Sequence, residues 1–170
     1  AARRLASWEI DAVVSSPLRR CRDTAAHAAE LLGLPVEVEE RLMETDFGDW
    51  EAMTFAEARE HDPEGVDHWI SDPHTGPPGG ESFAEVADRV GEARDALLRT
   101  HRGRTVLVVT HVTPIKVLVQ QAMLAPLIGL YRMHLDTACL NRVDYYADGP
   151  AVVRSLNDTA HLEHGGVTWA

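Results

Sequence analysis

Lysine occurs once in this chain, at Lys116, and cysteine twice, at Cys21 and Cys139. The cysteines stand far apart without paired spacing. That excludes a disulfide framework and a thiolate metal site, and leaves two buried free thiols as the expectation. The nine histidines are scattered, with none at ligand spacing to cysteine or carboxylate, so neither a metal nor another cofactor is implied. No apolar run is long enough to span a bilayer and no charged-then-apolar leader opens the chain, so the expected location is cytoplasmic, away from membranes. Basic charge is in deficit. A formal charge of -11 and a pI near 5.2 argue against a surface built to hold nucleic acid. No glycine-rich loop follows a strand, which places a Rossmann-type nucleotide-binding domain last among the readings. Internal repeats and low-complexity tracts are missing too. A length of 170 residues suits one domain with a sizeable core. That domain is expected over 1–162, with 163–170 as a loosely held polar tail.

What is present begins with TVLVVTHVTPIK, Thr105 to Lys116, where an apolar β run delivers His111 to the start of a helix. Near the beginning of the chain Asp11-Ala12-Val13-Val14 runs into Ser15-Ser16-Pro17-Leu18-Arg19-Arg20 in the same layout. In an open parallel sheet, ligands bind beyond the carboxyl ends of the strands, and a helix starting there adds free N–H groups and a positive dipole end. Histidine and arginine at two such strand ends converge only in an α/β fold with a parallel sheet. Each has a plainer alternative. His111 could be a core histidine satisfied by a backbone carbonyl, and two of Arg19, Arg20 and Arg22 are expected on the solvated face of their helix.

The rest of the chain reads as alternating elements. The opening AARRLASWEI resembles the last turns of an amphipathic helix, as though further residues preceded it. Pro17 suits an early helical position, and the spacing of Leu18, Cys21, Ala25, Ala28 and Leu32 predicts a helix closed by Gly33. Val36 and Val38 predict a short strand with room to extend to Leu42. A loop of carboxylates and aromatics, Met43 to Glu51, follows. Thr54 with Glu57 and Ser82 with Glu85 are capping boxes that locate two helix starts. The second of those helices carries Phe83, Val86, Val90, Ala93 and Leu97 and ends near Gly103. Between them Ser71 to Gly80 is rich in breakers, and is either a surface connection or a mobile lid. Ile115, Leu118, Val119, Met123 and Leu124 give the helix after His111 a broad apolar face. Asp148-Gly149 joins two predicted edge strands, Ala138 to Tyr146 and Ala151 to Leu156.

Phosphoryl chemistry accounts for Arg20, His111 and Glu44 together. Such a group needs cations for its equatorial oxygens, an in-line nucleophile and a proton for the leaving oxygen. Arg20 and a protonated His111 supply charge, and Glu44 supplies the proton if Glu39, Glu40 and Asp46 crowd it and raise its pKa. The alternative is that Glu44 is one carboxylate among many.

These residues resemble the histidine phosphatase superfamily, the phosphoglycerate mutase-like enzymes. The resemblance is carried by Ser15-Ser16-Pro17-Leu18-Arg19-Arg20-Cys21-Arg22-Asp23-Thr24-Ala25, Leu42 to Glu51, Gly80-Glu81-Ser82 and Val108-Val109-Thr110-His111, in that order. It implies a three-layer α/β sandwich, a mostly parallel sheet with helices on both faces. It implies also that Arg20 binds phosphate, that Glu44 is the proton donor, that His111 stabilises the transferring group and that the Val112 N–H faces the same oxygens. The reaction so implied passes through a phosphohistidine, needs no metal and acts on a small phosphorylated substrate. More narrowly, Thr110 to Lys116 and the stretch from Asp148 to Leu162 resemble the phosphatase half of actinobacterial bifunctional ribonuclease H/acid phosphatase proteins. No nuclease activity or nucleic-acid partner is expected of this segment.

One departure matters. The family's Arg-His-Gly motif, which holds the nucleophilic histidine, has no counterpart in the sequence, so the chain alone is expected to be inactive. The missing first strand should uncover apolar sheet edges and favour a homo-oligomer or a swapped dimer. Ala52 stands where many relatives have glycine, which matters only if that backbone needs positive φ. Two rivals remain. A mutase would need a longer insertion in the acidic loop; a catalytically dead phosphate-binding or assembly module would hold an anion without turning it over. Specificity would come from loops such as Trp69 to Gly80 and Leu124 to His134, which carry no readable code.

Overall fold

A strand that is apolar on both faces belongs in the middle of a parallel sheet. Ala12–Ser15 (β1), buried at all four positions, takes that place in the computed structural model, which describes residues 1–5 and 7–163. β1 pairs in parallel with Val36–Val38 (β2) on one side and Val106–Val109 (β3) on the other, giving the order β2-β1-β3. Ser15 lies opposite both Val38 and Val109, so the three strands end together.

Successive strand residues face opposite sides of a sheet, and β1 shows what each side meets. Val13 packs with Ala25 and Ala29 of the helix Arg19–Leu32 (α2; α1 is the short Ala2–Leu5). Val14 packs with Leu42 and with Ala93 of Phe83–Thr100 (α5) on the other face. Helices therefore cover both faces, as an α/β sandwich requires. The largest core lies on the α5 side, where Phe83, Val86 and Val90 meet Val117 of Val112–Ala122 (α6) and Leu130.

The helix ends follow the local sequence. Gly33 adopts the left-handed conformation at the end of α2 (φ 66°) and donates its N–H to Ala29 and Glu30. Both capping boxes form, at Thr54 before Phe55–His61 (α3) and at Ser82 before α5. Between α3 and α5 the chain forms a further helix, Pro63–Ser71 (α4), which the apolar spacing did not reveal. Its signal is Asp62-Pro63: an N-cap carboxylate accepting the Gly65 N–H, then proline at the first helical position.

Four expectations need correction. α2 starts at Arg19, so Pro17 precedes the helix instead of opening it. Leu42 closes a 3-10 turn, Glu40–Leu42, because Glu39 caps that turn by accepting the Arg41 N–H and the chain leaves the sheet. Leu140–Tyr145 (β4) and Ala151–Asp158 (β5) pair antiparallel as a sheet of their own and are not edges of the parallel one. Met123 and Leu124 lie past the end of α6 and are exposed, Leu124 with φ 52°. Among the described residues the last helix is Ala160–Glu163 (α7), and the tail expected over 163–170 lies, from 164 onward, outside them. Both thiols are free, Cys21 buried and Cys139 half-buried. Among the described residues no helix is long and apolar enough to cross a membrane.

Candidate functional site

The carboxyl ends of β1 and β3 are tied by the Ser16 N–H donating to the Val109 carbonyl (2.9 Å). Two residues beyond Val109, His111 is the N-cap of α6, its backbone extended (φ -114°, ψ 175°) and its side chain buried. Beyond β1, Arg20 sits in the first turn of α2 and its Nε donates to His111 Nδ1 at 3.2 Å. The other ring nitrogen, Nε2, lies 2.8 Å from the buried Ser16 Oγ and 3.4 Å from Cys21 Sγ. Nδ1 accepts from Arg20, so the neutral ring carries its hydrogen on Nε2 and donates it to Ser16 Oγ, which also accepts the Leu18 N–H. Side chains satisfy His111, not the backbone carbonyl of the core-histidine alternative.

Burial pushes the His111 pKa down, Glu44 pulls it up, and the charges of Arg20 and Arg89 push it down further. The net direction is downward. The protonated His111 expected from the sequence is thus opposed by its surroundings, and a charged ring needs an anion to offset them.

Glu44 reaches the same place from the acidic loop. Its Oε1 accepts the Thr45 N–H (2.9 Å) and the N–H of Thr113, the second residue of α6 (3.3 Å). A carboxylate there meets the positive end of the helix dipole. The loop is also drawn to β3 by the Thr110 hydroxyl, which donates to the Leu42 carbonyl at 2.6 Å. The crowding expected around Glu44 takes another form. Glu39 turns to Arg41, whose guanidinium holds the Glu39 carboxyl below its ordinary range, and Asp46 Oδ1 accepts the Gly48 N–H. Val112 opens α6, so its N–H has no partner within the helix.

Of the three arginines in the α2 cluster, only Arg20 touches His111. Arg19 pairs with Asp23 on the exposed face and Arg22 is exposed, as anticipated for two of the three. The loop after α4 packs onto the acidic loop: the Asp49 N–H donates to the Pro78 carbonyl (2.9 Å), and a Cβ on Gly48 (φ 51°) would stand 2.2 Å from that oxygen. Glycine is required there.

Sequence reasoning missed several residues at this locus. Ser16 and Cys21 were read only as parts of a motif, yet both touch the His111 ring. Thr113 contributes a backbone N–H, which no side-chain pattern reports. Arg89 comes from α5 and reaches the carbonyl of Glu44 (3.0 Å). Lys116 is the one whose signal was available. It is the chain's single lysine, one turn beyond Val112; burial lowers its pKa while Glu44 opposes the shift. Among the described residues no group of three or more His, Cys, Asp or Glu side chains is placed to hold a metal ion.

The locus thus combines an arginine, an imidazole, a helix N-terminus and a carboxylate at two neighbouring strand ends, which suits an anion undergoing acid–base chemistry. The chain is 53% identical over 153 residues to the Bifunctional protein Rv2228c of Mycobacterium tuberculosis, covering 90% of this chain and 42% of that protein. It therefore spans less than half the length of that relative. Phosphoserine phosphatase 1 of Hydrogenobacter thermophilus is 33% identical over 162 residues, 95% of this chain and 76% of that one. Among solved structures, Bacillus stearothermophilus YhfR superposes with a TM-score of 0.87 at 31% identity, over 95% of this chain and 80% of that one. The family described as Histidine phosphatase superfamily (branch 1) matches residues 1–159, and the chain belongs to it.

Proposed function

We propose that the site at the ends of β1 and β3 serves phosphomonoester hydrolysis through a phosphohistidine, acting on a small phosphorylated substrate in the cytoplasm. The observation that carries the reading is the convergence of Arg20, His111 and Glu44, from three separate segments, on the N-terminus of α6. Arg20, the Val112 N–H and a His111 ring protonated when the anion arrives bind the equatorial oxygens. A histidine nucleophile attacks phosphorus, the ester bond breaks, and the leaving oxygen takes its proton from the Glu44 carboxyl. Water then attacks the phosphohistidine, Glu44 takes back a proton, and inorganic phosphate leaves with histidine restored.

These 170 residues contain no Arg-His-Gly triplet, so in this reading the nucleophile comes from polypeptide outside them and the chain alone is inactive. The likeness to a protein named bifunctional, of which this chain spans 42%, supports placing it as the phosphatase half of a ribonuclease H/acid phosphatase type protein. The outer edge of β3, at the end of the sheet order, is where copies would associate or exchange a strand.

The test is trapping. A longer chain that includes an upstream Arg-His-Gly segment is mixed with a 32P-labelled phosphomonoester and quenched in alkali. An alkali-stable, acid-labile phosphoprotein is the expected result. Phosphate bound without any covalent label would replace hydrolysis with a binding-only module.

A further inference from the structure

The loop that carries Glu44 has neither helix nor strand at Met43 to Phe47, so its backbone groups need partners from elsewhere. One side chain takes two of its carbonyls and a third just before it. Arg89, on α5 and 20% exposed, donates from Nη1 to the carbonyls of Arg41 (2.8 Å) and Met43 (2.9 Å), and from Nη2 to that of Glu44 (3.0 Å). Its Nε and Nη2 also grip the two carboxylate oxygens of Glu81 at 2.8 Å each. A guanidinium has five N–H donors in a rigid fork, and all five are engaged.

Glu81 closes the other side of the loop. Its Oε2 accepts the Asp46 N–H (3.0 Å) and its own N–H donates to the Asp46 carbonyl (2.8 Å). The backbone is therefore fixed at 41 and 43 before the acid, at 44 itself and at 46 after it. Between these anchors the Glu44 carboxylate extends to the Thr45 and Thr113 N–H groups.

We infer that Arg89, held by Glu81, is the positioning residue of Glu44: it sets the backbone from which the carboxyl reaches the N-terminus of α6, and so the aim of the proton donor. This rests on the proposed phosphatase reading for what Glu44 does, but not for where Glu44 is held. Charge alone would not serve, because a lysine has three donors on one atom and cannot span three carbonyls and a carboxylate.

Two measurements separate the two claims. The first is amide hydrogen exchange at Thr45 and Thr113 in this chain, comparing wild type, R89M, R89K and E81Q, with E44A marking complete loss of the carboxylate acceptor. R89M and R89K are expected to speed both amides at least about tenfold, towards the E44A rates, while Val86 and Val90 amides in the core of α5 stay within about twofold. Unchanged Thr45 and Thr113 exchange in a folded Arg89 variant overturns the inference. Should the Arg89 variants not fold, E81Q decides by the same criterion.

The second is turnover by the longer chain. Misaim of the acid predicts kcat lowered about 10- to 100-fold in R89K with KM within about twofold, and KM rising with kcat unchanged would contradict it. A wild-type longer chain that hydrolyses nothing defeats the phosphatase reading, and the exchange data then still decide whether Arg89 positions Glu44.

Discussion

Arg20 Nε donates to His111 Nδ1 across 3.2 Å, joining residues 91 positions apart in the sequence at the adjoining ends of β1 and β3. That bond fixes which form of the ring is present, because a nitrogen that accepts from a guanidinium is not itself protonated. Holding an anion with both groups requires His111 to gain a proton at Nδ1 and the Arg20 Nε–H to turn to the anion as well. Sulfate affinity should then fall as pH rises, approaching about tenfold per pH unit once the free ring is neutral. Sulfate keeps its charge over this range, so the slope reports the protein. Titration calorimetry from pH 5 to 8 reads it, and a flat profile in wild type, or an unchanged slope in His111→Asn, would contradict the coupling.

The same ring makes the fold sensitive to acid. Burial, with Arg20 and Arg89, holds the His111 pKa below its ordinary 6.5, so in the unfolded chain the ring takes a proton at a pH where the native one does not. The ring's contribution to stability is therefore constant above about 6.5 and is lost as pH falls below it, until the native ring also protonates. His161, whose pKa is lowered as well, adds a loss of the same sign. Thermal unfolding at pH 7.5 and 5.5 should show a smaller drop in Tm for His111→Gln than for wild type. Equal drops would mean that the ring titrates alike in both states.

Ser16 is fully buried and its Oγ takes the His111 Nε2 hydrogen at 2.8 Å. Ser16→Ala leaves that buried donor and the Leu18 N–H without their acceptor, a cost of about 1–3 kcal/mol. Urea unfolding measures it. A change below a few tenths of a kcal/mol would show that the ring finds another partner at no cost.

Ala52 has φ 63°, the left-handed conformation that glycine enters freely and alanine does not. Left-handed alanine costs about 1–2 kcal/mol, and glycine returns part of that as unfolded-state entropy. Ala52→Gly should stabilise the chain by about 0.5–1 kcal/mol, read from the shift in urea midpoint at constant slope. A loss of stability would place the strain elsewhere.

The elements legible in the sequence were those whose cause is local. Val13 and Val14 announce a strand buried on both faces, Gly33 a helix end, and Thr54/Glu57 and Ser82/Glu85 two helix starts, because each is decided by residues within a turn of one another. Leu42 was misjudged because the turn at Glu40 is set by the Glu39–Arg41 pairing and not by apolar alternation. The hairpin at Asp148-Gly149 was legible, but which sheet it joins is a tertiary matter. At the site, strand-end position gave Arg20 and His111 and the acidic loop gave Glu44. Ser16, Cys21 and Thr113 escaped because what they contribute is contact across the chain, and Arg89 because an arginine on an amphipathic helix reads as solvated until its five acceptors are seen.

As proposed, Arg20, Glu44 and His111 form a phosphoryl-transfer site that takes its nucleophile from polypeptide outside these residues. Hydrolysis of para-nitrophenyl phosphate between pH 5 and 7, by this chain and by a longer one carrying an upstream Arg-His-Gly segment, is the decisive assay. Turnover only by the longer chain, lowered about 100-fold or more by His111→Ala, is the predicted result. Equal turnover by both chains, or a longer chain indifferent to His111→Ala, would contradict it.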